Sequence, residues 1–174
     1  QLRVAVIGGG SGGHLFPAIA VAQEILLAHP ETSVLFLTSR RPIDLKVLSS
    51  TGWPTAARSA STESAVVSTN AEAVAVEPYV SIPGSSGTLL RLALLPGVSK
   101  AYLRAKRRLK KFNPHVVIGC GAMASLPGVY AAHRLRIPIV LMEQNVMPGQ
   151  AIRMLSRYAR LTQTGLPLLQ RYAD

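Results

Sequence analysis

Three observations predict an α/β protein with a doubly wound parallel sheet. Short apolar runs rich in β-branched residues, such as Val4-Ala-Val-Ile7 and Val116-Val-Ile118, alternate with longer stretches of good helix formers. Strands covered on both faces by crossover helices need that composition. Two of the runs pass directly into glycine-rich turns and then a proline-led helix, at residues 8–17 and 119–127. In a parallel sheet such turns share one edge, the carboxyl ends of the strands, and face one crevice.

The elements follow in order. After the strand at 4–7 come five glycines and a serine, residues 8–13, and Pro17 then opens a helix over 18–28. Strand, glycine turn and helix aim amide N–H groups and the positive end of a helix dipole at one spot, which suits a phosphate or diphosphate. Gly8, Gly10 and Gly13 fit the dinucleotide fingerprint G-x-G-x-x-G, a weak signal alone. The strand at 33–37 ends in Thr38-Ser-Arg-Arg41, without the acid that would hold a ribose hydroxyl. Arg40 and Arg41 suit a 2′-phosphate instead, which keeps an NADP reading open. No lysine with serine or threonine follows the glycines, so the loop is not a Walker A loop. His14 falls at the mouth of the helix, where the dipole disfavours the protonated ring. It is a candidate general base, with a capping or space-filling role as the alternative.

Residues 42–50 read as a short helix, 56–77 as a surface loop or irregular insertion, 79–82 as a strand and 83–87 as a turn. A leucine-rich segment at 88–95 precedes a helix over 98–112. Lys100, Arg104, Arg107, Arg108 and Lys111 share one arc of it, while Ala101, Tyr102, Ala105, Leu109 and Phe112 gather opposite. No acid occurs between Gly84 and His115. Apolar residues beside cations suit an anionic lipid surface, against the alternative of ordinary solvated surface. Then come strand 116–118, the second glycine turn, helix 128–135, strand 137–141 and a basic helix over 150–160. Glu143 and Asn145 top the strand at the crevice edge. Glu143 reads as the one carboxylate near the crevice, with loop-tying as its alternative to chemistry. Asn145 serves either a sugar hydroxyl or an Asx turn.

The whole chain sets the outer limits. Its 174 residues suit one domain, and Gln1 suggests an excised piece. No apolar run is long enough to span a membrane, and Cys120 is the single cysteine, which fits a reducing compartment. The formal charge of +11 favours anionic partners. Nucleic acid is the least supported of these, because the aromatics do not interleave with the basic residues.

Taken together, Gly9-Gly-Ser-Gly-Gly-His-Leu-Phe-Pro-Ala18, Gly119-Cys-Gly-Ala-Met-Ala-Ser-Leu-Pro127 and Ile137-Pro-Ile-Val-Leu-Met-Glu-Gln-Asn-Val-Met-Pro-Gly149 resemble, in order, the motifs of the MurG family of peptidoglycan glycosyltransferases. The resemblance runs from Val4 to about Tyr172 and covers that family's amino-terminal half. It implies a GT-B architecture of two Rossmann-like domains, with residues 1–174 as the acceptor-binding one and the donor-binding domain absent from this chain. The implied reaction is inverting transfer of GlcNAc from UDP-GlcNAc to lipid I, the undecaprenyl-diphosphate-linked muramyl peptide. It would take place at the cytoplasmic face of the plasma membrane, without cofactor or metal, and this half alone is expected to be inactive. By the resemblance, His14 is the candidate base, and Ser11, Gly12, Gly13 and Asn145 contact the donor. Gly9, Gly10, Gly121 and Ser125 would hold the acceptor diphosphate, and Arg104, Arg107, Arg108 and Lys111 would rest on the membrane. Three features depart from the pattern: Gly121-Ala-Met123 stands where the family usually has Gly-Gly-Tyr, Met142 stands where a histidine often precedes Glu-Gln-Asn, and the stretch at 56–77 is longer than the family pattern leads one to expect. A related transferase with another lipid or polyprenyl acceptor therefore stays open, as do an NADP-binding oxidoreductase and a non-enzymatic membrane-docking subunit.

Overall fold

The computed structural model describes residues 1–10, 12–53, 74–80 and 95–167. Six parallel strands form one sheet in the order β3-β2-β1-β4-β5-β6. They are β1 (Arg3–Ile7), β2 (Ser33–Ser39), β3 (Val74–Val80), β4 (Val116–Gly119), β5 (Ile139–Glu143) and β6 (Leu161–Thr164). The helices are α1 (Gly12–Ala28), α2 (Pro42–Ser50), α3 (Leu95–Phe112), α4 (Leu126–Arg134) and α5 (Gln150–Leu155).

Strand alternation splits the apolar residues into two cores. Val4, Val6, Val34 and Phe36 face one side, where Leu15, Ala18, Ala22 and Leu26 of α1 and Leu48 of α2 cover them. Ala5, Ile7, Leu35, Leu37, Val117 and Leu141 face the other, under Ala105 and Leu109 of α3, Val129 and Ala132 of α4 and Ile152 of α5. Central strands buried on both faces explain the unbroken apolar runs in the sequence.

Three expectations need correction. The third strand is Val74–Val80, not 79–82, so part of the expected loop at 56–77 is strand. Val74 and Val76 are buried and register against Val34 and Phe36. Pro78 reads as a breaker but is tolerated because β3 is an edge strand. The expected helix over 150–160 stops at Leu155, passes through a 3-10 turn at Ser156–Tyr158 and is followed by β6. That strand gave little signal because it lies at an edge and its residues are half-buried or exposed. Finally, α1 begins at Gly12, before Pro17, which lies inside it. Proline lacks the N–H that would bond the Gly13 carbonyl one turn back. The expected turn at 83–87 and most of the leucine-rich segment fall outside the described residues.

Candidate active site at the sheet's switch point

The chain winds one way from β1 through β2 to β3, then returns to the other side of β1 and continues from β4 to β6. Ile7 pairs with Gly119, so the two glycine loops leave adjacent strands at the same sheet edge. Their first residues continue the ladder: the Gly8 N–H donates to the Leu37 carbonyl (3.1 Å) and the Cys120 N–H to the Ile7 carbonyl (2.9 Å). The crevice at such a reversal is where open α/β sheets bind ligands.

His14 joins the two loops. It sits half-buried in the first turn of α1, and its Nδ1 lies 2.9 Å from the Cys120 carbonyl oxygen. A carbonyl oxygen only accepts, so Nδ1 carries the proton, and in the neutral ring Nε2 keeps its lone pair. Gly121 makes room for the ring. Its φ is +77°, and an added Cβ would lie 2.9 Å from His14 Nδ1 and 3.0 Å from Cε1. The second loop thus holds the base candidate of the first in one tautomer and one orientation, as a positioned general base requires. Cys120 itself is fully buried, and burial pushes its thiol up to about 12.

The first loop is less open than its glycines suggest. The Gly10 N–H donates to Asp44 Oδ2 at 2.6 Å, and Arg41 Nη1 donates to the Gly10 carbonyl at 2.6 Å. Asp44, from the first turn of α2, is fully buried and also accepts the Ser39 hydroxyl. Three expectations change as a result. Gly10 has no free amide for a diphosphate, and Arg41 holds the loop backbone, where a 2′-phosphate role had been open. Glu143 is not the only carboxylate at the crevice. The first-turn acid of α2 was visible in Pro42-Ile-Asp44, but not its reach across 34 positions. Gly9 is buried, while Gly12 and Gly13 are exposed in the first turn of α1, where a helix leaves its amides without intrahelical partners. Ser11 lies outside the described residues.

The second loop turns through Met123–Ser125 into α4. Ser125 is fully buried and its hydroxyl donates to the Ala122 carbonyl (2.8 Å), so it closes the turn and does not face a diphosphate. Tyr79 of β3 reads in the sequence only as a strand residue. Its buried hydroxyl donates to the Ala124 carbonyl and accepts the Gly128 N–H, spanning the turn and the start of α4. Burial drives its phenol well above the usual value.

Above β5, Glu143 is nearly fully buried and ties its loop. Oε1 accepts the Asn145 N–H and side-chain amide (both 2.9 Å), and Oε2 accepts the Gly149 N–H (2.8 Å). Asn145 is thereby held at the crevice edge and is itself exposed. Among the described residues no three His, Cys, Asp or Glu side chains gather as a metal site would need.

A pocket of about 480 Å³ is lined by Val98, Tyr102, Leu126, Tyr130, Met154 and Tyr158, among others. Lys106 Nζ lies 5.8 Å from the Tyr102 ring centre, and Arg157 also lines the pocket. Arg104, Arg107 and Lys111 are exposed and Arg108 is half-buried. At about 100° per residue, Arg104, Arg107 and Lys111 centre about 170° around α3 from the pocket-lining residues. The pocket and the basic arc therefore lie on different faces of α3, and most of the leucine-rich segment expected beside the arc falls outside the described residues. No helix among the described residues is long and apolar enough to cross a membrane.

Comparison with known proteins agrees with this fold. The chain is 35% identical over 171 residues to a UDP-N-acetylglucosamine--N-acetylmuramyl-(pentapeptide) pyrophosphoryl-undecaprenol N-acetylglucosamine transferase of Anaeromyxobacter sp. (strain K), covering 98% of this chain and 39% of the relative. A protein of the same name from Syntrophotalea carbinolica is 35% identical over 159 residues, 91% of this chain and 39% of that one. The chain thus spans about two-fifths of the length of these relatives. Among solved structures, Acinetobacter baumannii MurG superposes with a TM-score of 0.69 at 23% identity, over 96% of this chain and 41% of the other. A Neisseria meningitidis UDP-GlcNAc 2-epimerase bound to UDP-GlcNAc follows at 0.60 and 15% identity, over 91% and 39%. Both likenesses speak to the fold. The model of the glycosyltransferase family 28 N-terminal domain matches residues 4–163, and the chain belongs to that family.

Proposed function

We propose that this chain is the acceptor-side half of a transferase that moves GlcNAc from UDP-GlcNAc to lipid I at the cytoplasmic face of the membrane. The observation that carries the reading is His14, held through Nδ1 by the Cys120 carbonyl at the mouth of a crevice flanked by two glycine loops. Its Nε2 takes the proton of the acceptor hydroxyl as that oxygen bonds to the anomeric carbon. The bond from that carbon to the phosphate oxygen breaks, and UDP leaves with the electron pair. A base in one tautomer, with both substrates oriented, supplies the proton transfer and proximity this step needs. The first-turn amides of Gly12 and Gly13, at the positive end of α1, suit the diphosphate charge, and Asn145 suits a sugar hydroxyl. The chain spans about two-fifths of its relatives' length, and residues 1–174 alone are expected to transfer nothing.

Titrating a soluble lipid I analogue, UDP-GlcNAc and NADPH separately into the chain tests this reading. The analogue is expected to bind and to perturb the His14 ring nitrogens, with NADPH silent. NADPH binding in place of the analogue, or GlcNAc transfer by residues 1–174 alone, would refute it. We assign membrane contact to the pocket side of α3, where exposed Tyr130 and Met154 lie near Lys106 and Arg157. Sedimentation with anionic vesicles should weaken more on charge reversal at Lys106 and Arg157 than at Arg104, Arg107 and Lys111. The opposite order would return the contact to the basic arc.

A further inference from the structure

Asp44 takes up an amide of the first glycine loop, the kind of N–H that a dinucleotide-binding loop offers to a phosphate. Its Oδ2 receives the Gly10 N–H at 2.6 Å and the Ser39 hydroxyl, and the Arg41 N–H donates to that Ser39 oxygen (3.2 Å). Arg41 Nη1 donates to the carbonyl of the same residue, Gly10. Gly9 has φ +119°, and an added Cβ would lie 2.8 Å from Asp44 Oδ2 and 2.5 Å from Thr38 Oγ1. The loop is therefore folded down onto the α2 carboxylate with no room for a side chain between them. Asp44 Oδ1 and Thr38 Oγ1 are buried beside this contact and have no hydrogen-bond partner among the described residues.

We propose that Asp44 is a specificity-determining residue of the first glycine loop. Its carboxylate closes the Gly10 amide to phosphate, so the loop rejects a dinucleotide-style diphosphate and leaves anions only the first-turn amides of α1. A second negative group brought to the Gly10 N–H would meet a buried carboxylate at hydrogen-bond range, with little solvent to screen it. Arg41 is exposed and gives one guanidinium N–H to the Gly10 carbonyl. The inference rests on the proposed anion-binding role of this loop, and it explains how a glycine pattern shared with dinucleotide-binding proteins can select a different ligand.

The test is a titration of inorganic pyrophosphate into the 174-residue chain and into Asp44→Asn, followed by amide exchange and ¹⁵N shifts at residues 10 to 14. In the wild type, Gly12, Gly13 and His14 amides should respond while Gly10 exchange stays unchanged. Asp44→Asn should bind pyrophosphate at least tenfold more tightly, with Gly10 now protected by it. A purely structural Asp44 would change stability and leave pyrophosphate affinity level or weaker, which overturns the proposal. If Asp44→Asn does not fold, the wild type decides alone, because pyrophosphate protection of Gly10 overturns the proposal and protection confined to 12–14 supports it. Binding at Gly10 only in Asp44→Asn, with the first-turn amides silent in both proteins, supports the proposal and sinks the functional reading. Silence throughout sinks both.

Discussion

Replacing Gly121 by alanine tests the link between the two loops. The new Cβ would stand 2.9 Å from His14 Nδ1 and 3.0 Å from Cε1, with Ile152 Cγ1 next at 3.7 Å. Those first two separations are about half an ångström inside ordinary contact, and the ring is the part able to move, because it turns about side-chain bonds. Swinging it away breaks the 2.9 Å bond from Nδ1 to the Cys120 carbonyl. A neutral hydrogen bond is worth about 1 kcal/mol net, or a roughly fivefold bias toward the Nδ1–H tautomer. Alanine at φ +77° adds about 1 kcal/mol of backbone strain. The expected sum of about 2 kcal/mol lowers Tm by about 4–8 °C for a domain of this size. ¹⁵N spectra of the His14 ring in the neutral state read the tautomer directly. The wild type should show a protonated Nδ1, and Gly121→Ala should shift the population toward Nε2–H. An unchanged tautomer in the variant, or Nε2–H dominating the wild type, would refute the reasoning.

Two further outcomes follow from the buried polar groups. Glu143→Gln leaves the Asn145 and Gly149 amides facing one acceptor fewer and no charge. It should cost about 2 kcal/mol and speed Gly149 amide exchange; an unaltered Tm would remove Glu143 as the tie of that loop. Burial raises the Cys120 thiol from 9.0 to about 12, so the folded state holds that proton more tightly than the unfolded chain. Its contribution is complete below pH 9 and falls by about 1.4 kcal/mol per pH unit as the pH climbs toward 12. Tyr79 is shifted in the same direction. Urea unfolding from pH 8 upward should show a steeper alkaline loss than the Cys120→Ala variant, and matching slopes would count against it.

The strand runs, the two glycine turns and His14 were readable from local pattern. Periodicity and turn chemistry act within a few residues, and the carboxyl-edge crevice follows from parallel winding once the strands are identified. Edge strands escaped where that signal thins: Pro78 disguised β3, and half-exposed Leu161–Thr164 carried no apolar alternation. The state of the site came from contacts between distant parts of the chain. His14 meets the Cys120 carbonyl across 106 positions, Tyr79 meets Ala124 across 45, and Asp44 meets Gly10 across 34. Those three contacts set which ring nitrogen is free, how the second turn is pinned, and which glycine amide is closed to a ligand. Residue type supplies the donors and acceptors. Packing of the helices onto the sheet selects which of them meet, because burial leaves each polar group a choice among the few partners the fold brings within reach.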